Sequence, residues 1–204
     1  MITRSASIIR GAIGVALLLT TLLACHGPHS STASQKLRVI SLSPGITEIL
    51  YGIGAFDLLV ADSQFCDYPE EAKKLPHVGG FYEANLEAIT AMRPDLILII
   101  DDQAVFFKDK LEKLGYRVVA VKSRTVTDVI DSMRTIGEVT GRAKEGNKLA
   151  DEISAKINER ANQTKSLPRV RILCVVDRIP GTLRDIYTAA PGSFIDGLIE
   201  ASGG

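Results

Sequence analysis

Pro76-His77-Val78-Gly79-Gly80-Phe81-Tyr82-Glu83-Ala84-Asn85-Leu86-Glu87-Ala88-Ile89-Thr90-Ala91-Met92-Arg93-Pro94-Asp95-Leu96-Ile97-Leu98-Ile99-Ile100 holds a loop, a short helix and a buried strand in one unbroken segment. Asn85 suits a helix N-cap, Glu87 falls in the first turn where its charge complements the helix dipole, and Pro94 stops the helix. A strand then has to follow. Leu96 to Ile100 shows no polar alternation, which is the pattern of a strand covered on both faces by helices in a parallel sheet. The Gly79-Gly80-Phe81-Tyr82 turn ahead of the helix offers two aromatic rings to a ligand.

The flanking sequence repeats the same alternation. Leu37 to Leu42 reads as a strand, Ser43-Pro44 as an N-cap with proline in the first helical position, and Pro44 to Ile53 as a helix closed by Gly54. Leu58 to Ala61 is a second short strand whose exit, Asp62 to Pro69, is polar and aromatic. Beyond Ile100 the pattern predicts a helix from about Gln103 to Leu114, a strand from Arg117 to Val121 and a helix from about Thr125 to Thr140. Asp101 and Asp102 read as a solvated strand exit. Strand-helix alternation of this kind argues for an α/β fold with a doubly wound parallel sheet.

Gly141 breaks the chain before a long amphipathic helix with Ala143, Gly146, Leu149, Ala150, Ile153, Ile157 and Ala161 on one face. Ser166-Leu167-Pro168 ends it. A buried strand, Val170 to Val176, then opens a second lobe, followed by a second strand near Asp185 to Thr188, an N-cap at Ser193 and a helix to about Ala201. These pieces are too few to cover both faces of a parallel sheet, so a truncated chain is the expectation.

At the N-terminus, Arg4 and Arg10 precede an apolar run from Gly11 to Ala24, the layout of an export signal. Its length, about 14 residues, is short of the roughly 20 that span a bilayer. Leu22-Leu23-Ala24-Cys25 resembles the bacterial lipobox, which implies lipid on Cys25. Residues 26–36 read as a tether, with His26 and His29 as solvated spacers. Cys66 and Cys174 fall on different lobes and are not expected to pair.

Composition removes several classes of function. The 24 basic and 24 acidic residues balance, so no global field favours nucleic acid. Gly52-Ile53-Gly54 ends a helix and lacks a third glycine, no Gly-x-x-x-x-Gly-Lys occurs, and Gly192-Ser193-Phe194 lacks the second glycine of a nucleophile elbow. His77 is the one histidine beyond the tether and reads as a loop residue, too little for a Ser-His-Asp site or a histidine-rich metal centre. No catalytic residue and no resident cofactor or metal is expected.

Arg-Val-Ile-Ser-Leu-Ser-Pro-Gly-Ile-Thr-Glu (38–48), Asp-Tyr-Pro (67–69), Asn-Leu-Glu (85–87), Arg-Pro-Asp-Leu-Ile (93–97) and Tyr-Thr-Ala-Ala-Pro-Gly-Ser-Phe-Ile-Asp (187–196), in this order, resemble the substrate-binding proteins of ABC importers for cobalamin, haem and iron-siderophore complexes. The resemblance implies two Rossmann-like lobes joined by one long helix. It divides the chain into a lipoprotein signal (1–25), a tether (26–36), an N-terminal lobe (37–141), an interlobe helix (142–167) and a partial C-terminal lobe (168–204).

Ligand in that family lies between the lobes. The resemblance therefore implies ligand contacts at Ser43, Pro44, Phe65, Tyr68, Phe81 and Tyr82, with Phe65 and Phe81 at the positions that pack a corrin ring. The chain has no tryptophan, and Ile100 stands near a place where some cobalamin binders carry one. Glu87 resembles the first-lobe glutamate that docks on permease arginines. The expected protein is a monomeric, lipid-anchored component at the cell envelope that captures cobalamin, haem or a ferric siderophore and delivers it to a permease driven by a separate ATPase. The alternatives are a lobe that no longer captures ligand and acts only as an interaction or structural remnant, a metal-ion-binding importer component, and, further off, an enzyme of flavodoxin-like architecture.

Overall fold

A computed structural model describes residues 36–204; the expected signal, Cys25 and most of the tether lie outside the described residues. Four parallel strands, β1 (Val39–Ser41), β2 (Leu59–Ala61), β3 (Leu96–Ile100) and β4 (Val118–Val121), form a sheet in the order β2-β1-β3-β4. Between them run α1 (Pro44–Gly52), α2 (Leu86–Met92) and α3 (Asp101–Lys113), and α4 (Val126–Val139) follows β4.

The unbroken apolar run of β3 is explained by two cores. Leu96 and Leu98 join Val39, Ile46, Leu50, Val121 and Ile136 on the α1 and α4 side. Ile97 and Ile99 join Ile40, Ile89, Phe107 and Leu111 on the α2 and α3 side. Every one of these side chains is nearly or wholly buried, and each contributes about 1.5–3 kcal/mol by leaving water. Alternation of side chains is intact; alternation of polarity is absent because neither face meets solvent.

Helix ends follow local chemistry. The Asn85 side chain accepts the Ala88 N–H at 3.0 Å. Arg93 closes α2 in the left-handed conformation with φ 46°. The Arg38 guanidinium donates to the Met92 and Arg93 carbonyls, satisfying groups the helix end leaves open. Thr125 and Asp128 form a reciprocal capping box at the start of α4.

After α4, the long helix α5 (Ala143–Thr164) packs back against it. Gly137 and Gly146 let the two backbones touch: a Cβ on Gly137 would lie 2.9 Å from the Gly146 Cα and 2.8 Å from the Arg142 carbonyl oxygen. No helix among the described residues is long and apolar enough to cross a membrane.

The last segment departs from its expected form. Instead of a buried strand over Val170 to Val176, β5 covers only Val175–Asp177, pairs antiparallel with the two-residue β6 (Tyr187–Thr188), and is exposed along its length. Two residues of ladder and no covering layer leave its apolar side chains in solvent. The final helix, α6 (Phe194–Ala201), begins at Ser193, whose side chain accepts the Asp196 N–H, and packs on α5, where the Thr164 hydroxyl donates to the Ala201 carbonyl at 3.1 Å. Cys66 and Cys174 are free thiols.

Candidate functional site

In the order β2-β1-β3-β4 the chain reverses direction between β1 and β3, and ligands of open α/β sheets bind outside the strand ends at such a reversal. The carboxyl ends of these two strands are tied by Gln103. This residue is wholly buried; its Nε2 donates to the Leu42 carbonyl at 2.8 Å and its Oε1 accepts the Ile100 N–H at 3.2 Å. Gln103 stands in the first turn of α3 because that helix starts at Asp101, two residues before the predicted start. Asp101 and Asp102 are therefore helix-start carboxylates, not a solvated strand exit. Arg124, from the turn after β4, pairs with both. Their charge raises its already high pKa further, mainly through the Asp102 hydrogen bond.

An aromatic surface lies at the exit of β2. Gln64, Phe65 and residues 79–85 line a hollow of about 460 Å³. Phe65 is 55% and Tyr82 70% exposed, so both rings present area to a partner. Phe81 meets Tyr82 edge-on at 4.7 Å between ring centres, and Tyr82 meets Phe106 of α3 the same way at 5.2 Å. Gly79 makes the turn with φ 137°, and a Cβ there would collide with the Glu83 carbonyl oxygen. Gly80 is held against Phe65: a Cβ on it would lie 3.2 Å from the phenyl edge.

The predicted residues divide into groups. Phe65, Phe81 and Tyr82 come together in the aromatic hollow. Ser43 lines a different, apolar hollow of about 490 Å³ with Ile46, Ile49, Met133, Leu149 and Phe194. It occupies the α1 N-cap with extended backbone, but its hydroxyl does not cap; the Ser43 carbonyl accepts the Thr47 N–H and the Ser41 hydroxyl instead. Pro44 opens α1 and lines neither hollow. Tyr68 joins a separate aromatic set, edge-on to Tyr51 at 5.7 Å, and does not reach the hollow. Glu87 is exposed on the first turn of α2, two residues past Asn85 at the rim.

Sequence reasoning missed Phe106, Gln64, Gln103 and Arg124. Phe106 could have been found: Phe107 and Leu111 define the inner face of α3, which turns the adjacent ring outward. His77, read as a plain loop residue, binds Asp62 at 2.7 Å. Among the described residues no cluster of three or more histidine, cysteine or acidic side chains is placed to hold a metal.

The model of the periplasmic binding protein family matches residues 39–204. The chain is 33% identical over 143 residues to a vitamin B12-binding protein of Vibrio vulnificus, covering 70% of this chain and 52% of that one. Its fold superimposes on the crystal structure of the periplasmic vitamin B12 binding protein of Vibrio cholerae with a TM-score of 0.71 and 27% identity, over 82% of this chain and 64% of the other. The periplasmic haem binding protein of the same organism shares the fold with a TM-score of 0.67 at 21% identity, over 81% of this chain and 64% of the other. The chain spans about half the length of the curated relatives it matches. These relatives are binding proteins, not enzymes. A parallel sheet with a crevice at its reversal, an aromatic rim and a family match over most of the length lead to one conclusion: the chain belongs to the periplasmic binding protein family.

Proposed function

We propose that this protein captures cobalamin, or a related haem or ferric siderophore, and delivers it to the permease of an ABC importer whose separate ATPase drives transport. The observation that carries the reading is the hollow between the loop after β2 and the loop before α2, where Phe65, Phe81 and Tyr82 converge and Phe106 braces the last ring. Flat macrocycles are recognised by such surfaces through burial of ring area and edge or face contacts, each worth about 0.5–1.5 kcal/mol beyond area. The similarity to vitamin B12-binding proteins puts cobalamin first.

Ser43 lines the separate apolar hollow, Pro44 serves to open α1, and Tyr68 supports the outer loop from its place on Tyr51. Glu87, exposed beside the rim, is the docking carboxylate for a permease guanidinium, giving orientation more than affinity. Cys25 carries the lipid that holds the monomer at the periplasmic membrane face. Isothermal titration with cyanocobalamin, haemin and a ferric siderophore tests the reading. Saturable one-to-one heat with any of them supports it and names the ligand. Silence with all three, from a protein folded by circular dichroism, turns the assignment to a lobe that serves only as an interaction element.

A further inference from the structure

The aromatic hollow is built from two loops that are fastened at one place. The first leaves β2 and carries Asp62, Gln64 and Phe65; the second carries His77, Gly79, Gly80, Phe81 and Tyr82. Backbone bonds join them as a short parallel ladder: Asp62 N–H to the Pro76 carbonyl at 3.0 Å, Val78 N–H to the Asp62 carbonyl at 2.9 Å, and Gln64 N–H to the Gly79 carbonyl at 2.9 Å. Asp62 is wholly buried inside this ladder. Its Oδ1 meets His77 Nδ1 at 2.7 Å, and its Oδ2 has no hydrogen-bond partner. The ladder's one side-chain pair thus joins a buried carboxyl to a ring that reaches solvent, three residues before the ligand-facing rings on the first loop and four before them on the second.

We infer that Asp62 and His77 form a proton-linked clasp that positions the aromatic hollow, so that capture by Phe65, Phe81 and Tyr82 tightens as the medium becomes acidic. A buried Oδ2 without a hydrogen-bond partner disfavours a carboxylate and favours a carboxyl group. Burial pushes the Asp62 carboxyl up to about 6, with His77 opposing. No other titratable group contributes to that shift among the described residues. Opening the loops returns Asp62 to water, where its ordinary affinity for protons is lower. Protons therefore hold the clasp shut, and it loosens as pH rises through about 6. His77 limits the loosening at neutral pH by giving the carboxylate one donor.

The inference rests on the proposed ligand site for its consequence, but not for its first test. Hydrogen exchange of the unliganded full chain, corrected for intrinsic rates, is followed in the peptide spanning 76–85 at pH 5 and pH 7.5. The parent is expected to lose about tenfold in protection between the two, Asp62→Asn to keep acid-like protection at both, and His77→Ala to lose most at pH 7.5 with partial rescue by His77→Gln. Protection across β3 is the folding control. Cyanocobalamin or haemin affinity is then measured at the same two pH values, with tighter binding at pH 5 expected in the parent and a flat profile in Asp62→Asn. An unchanged pH step in Asp62→Asn, or parent-like exchange in His77→Ala at pH 7.5, overturns the clasp. Because exchange needs no ligand, a failure of binding alone counts against the ligand assignment and leaves the clasp to be judged by exchange.

Discussion

Leu96-Ile97-Leu98-Ile99-Ile100 and Val170-Arg171-Ile172-Leu173-Cys174-Val175-Val176 are both apolar runs that read as strands, yet they meet opposite fates. The first is a five-residue strand between two parallel neighbours, with α1 and α4 on one face and α2 and α3 on the other. In the second only the last two of these residues enter a strand, and Leu173 stays 72% exposed. A strand sequence specifies extended backbone and apolar side chains; burial requires layers on either face. The first run has both layers among the described residues, and the second has neither.

The comparison breaks most directly by truncation in each run. Leu98→Ala should lower unfolding free energy by about 2–5 kcal/mol in a denaturant titration, because it removes a buried side chain and leaves a cavity. Leu173→Ala should change it by no more than about 0.5 kcal/mol. Equal losses would mean that Leu173 is covered in solution.

A smaller effect belongs to the one carboxyl buried at the edge of the covered sheet. Since Asp62 holds its proton up to about 6 when folded against 3.8 for the free group, its contribution to stability is complete below the lower value and lost as pH rises through the higher. Asp62→Asn should flatten that part of the stability profile and raise stability at pH 8 by up to about 3 kcal/mol. A profile identical to the parent's would show that the carboxyl is hydrated.

Gly146→Ala should cost about 1–3 kcal/mol, since its Cβ would meet the Met133 carbonyl oxygen at 2.7 Å and the Gly137 Cα at 3.0 Å. Gly197→Ala on α6 would press only on the Val126 side chain at 3.0 Å and should cost less. The same thermal melts sharpen how firmly each helix is held against its neighbours. Smallest in stability, but visible in binding, is Phe65→Ala: the ring is half exposed, so the melting temperature should hardly move while ligand affinity falls about tenfold. Tyr68→Ala, on the separate Tyr51 cluster, should leave affinity within about twofold.

Much of the architecture was legible because its signals are local. Apolar runs without polar alternation marked the covered strands, and Asn85, Thr125 and Ser193 marked helix starts whose side chains do cap. Helix period alone brought Gly146 onto the inner face of α5. The aromatic residues on the Gly79-Gly80 loop were legible as a candidate surface for the same reason: they sit together in the chain.

What the sequence could not supply was distance between loops. Tyr68 looked equivalent to Phe65, three residues away, until its ring turned to Tyr51. Ser43 looked like a side-chain cap, and only the folded backbone shows its carbonyl serving that end while the hydroxyl stands aside. Asp62 and His77 lie 15 residues apart and neither falls in a quoted motif, and Gln103 reaches Leu42 across 61 residues. By itself the sequence determined which segments between residues 37 and 164 become strands and helices, because period and capping depend on near neighbours. Only the tertiary structure decided which loops share a hollow, which carboxyl loses its water and which apolar strand stays bare, because each depends on surfaces brought together from distant parts of the chain.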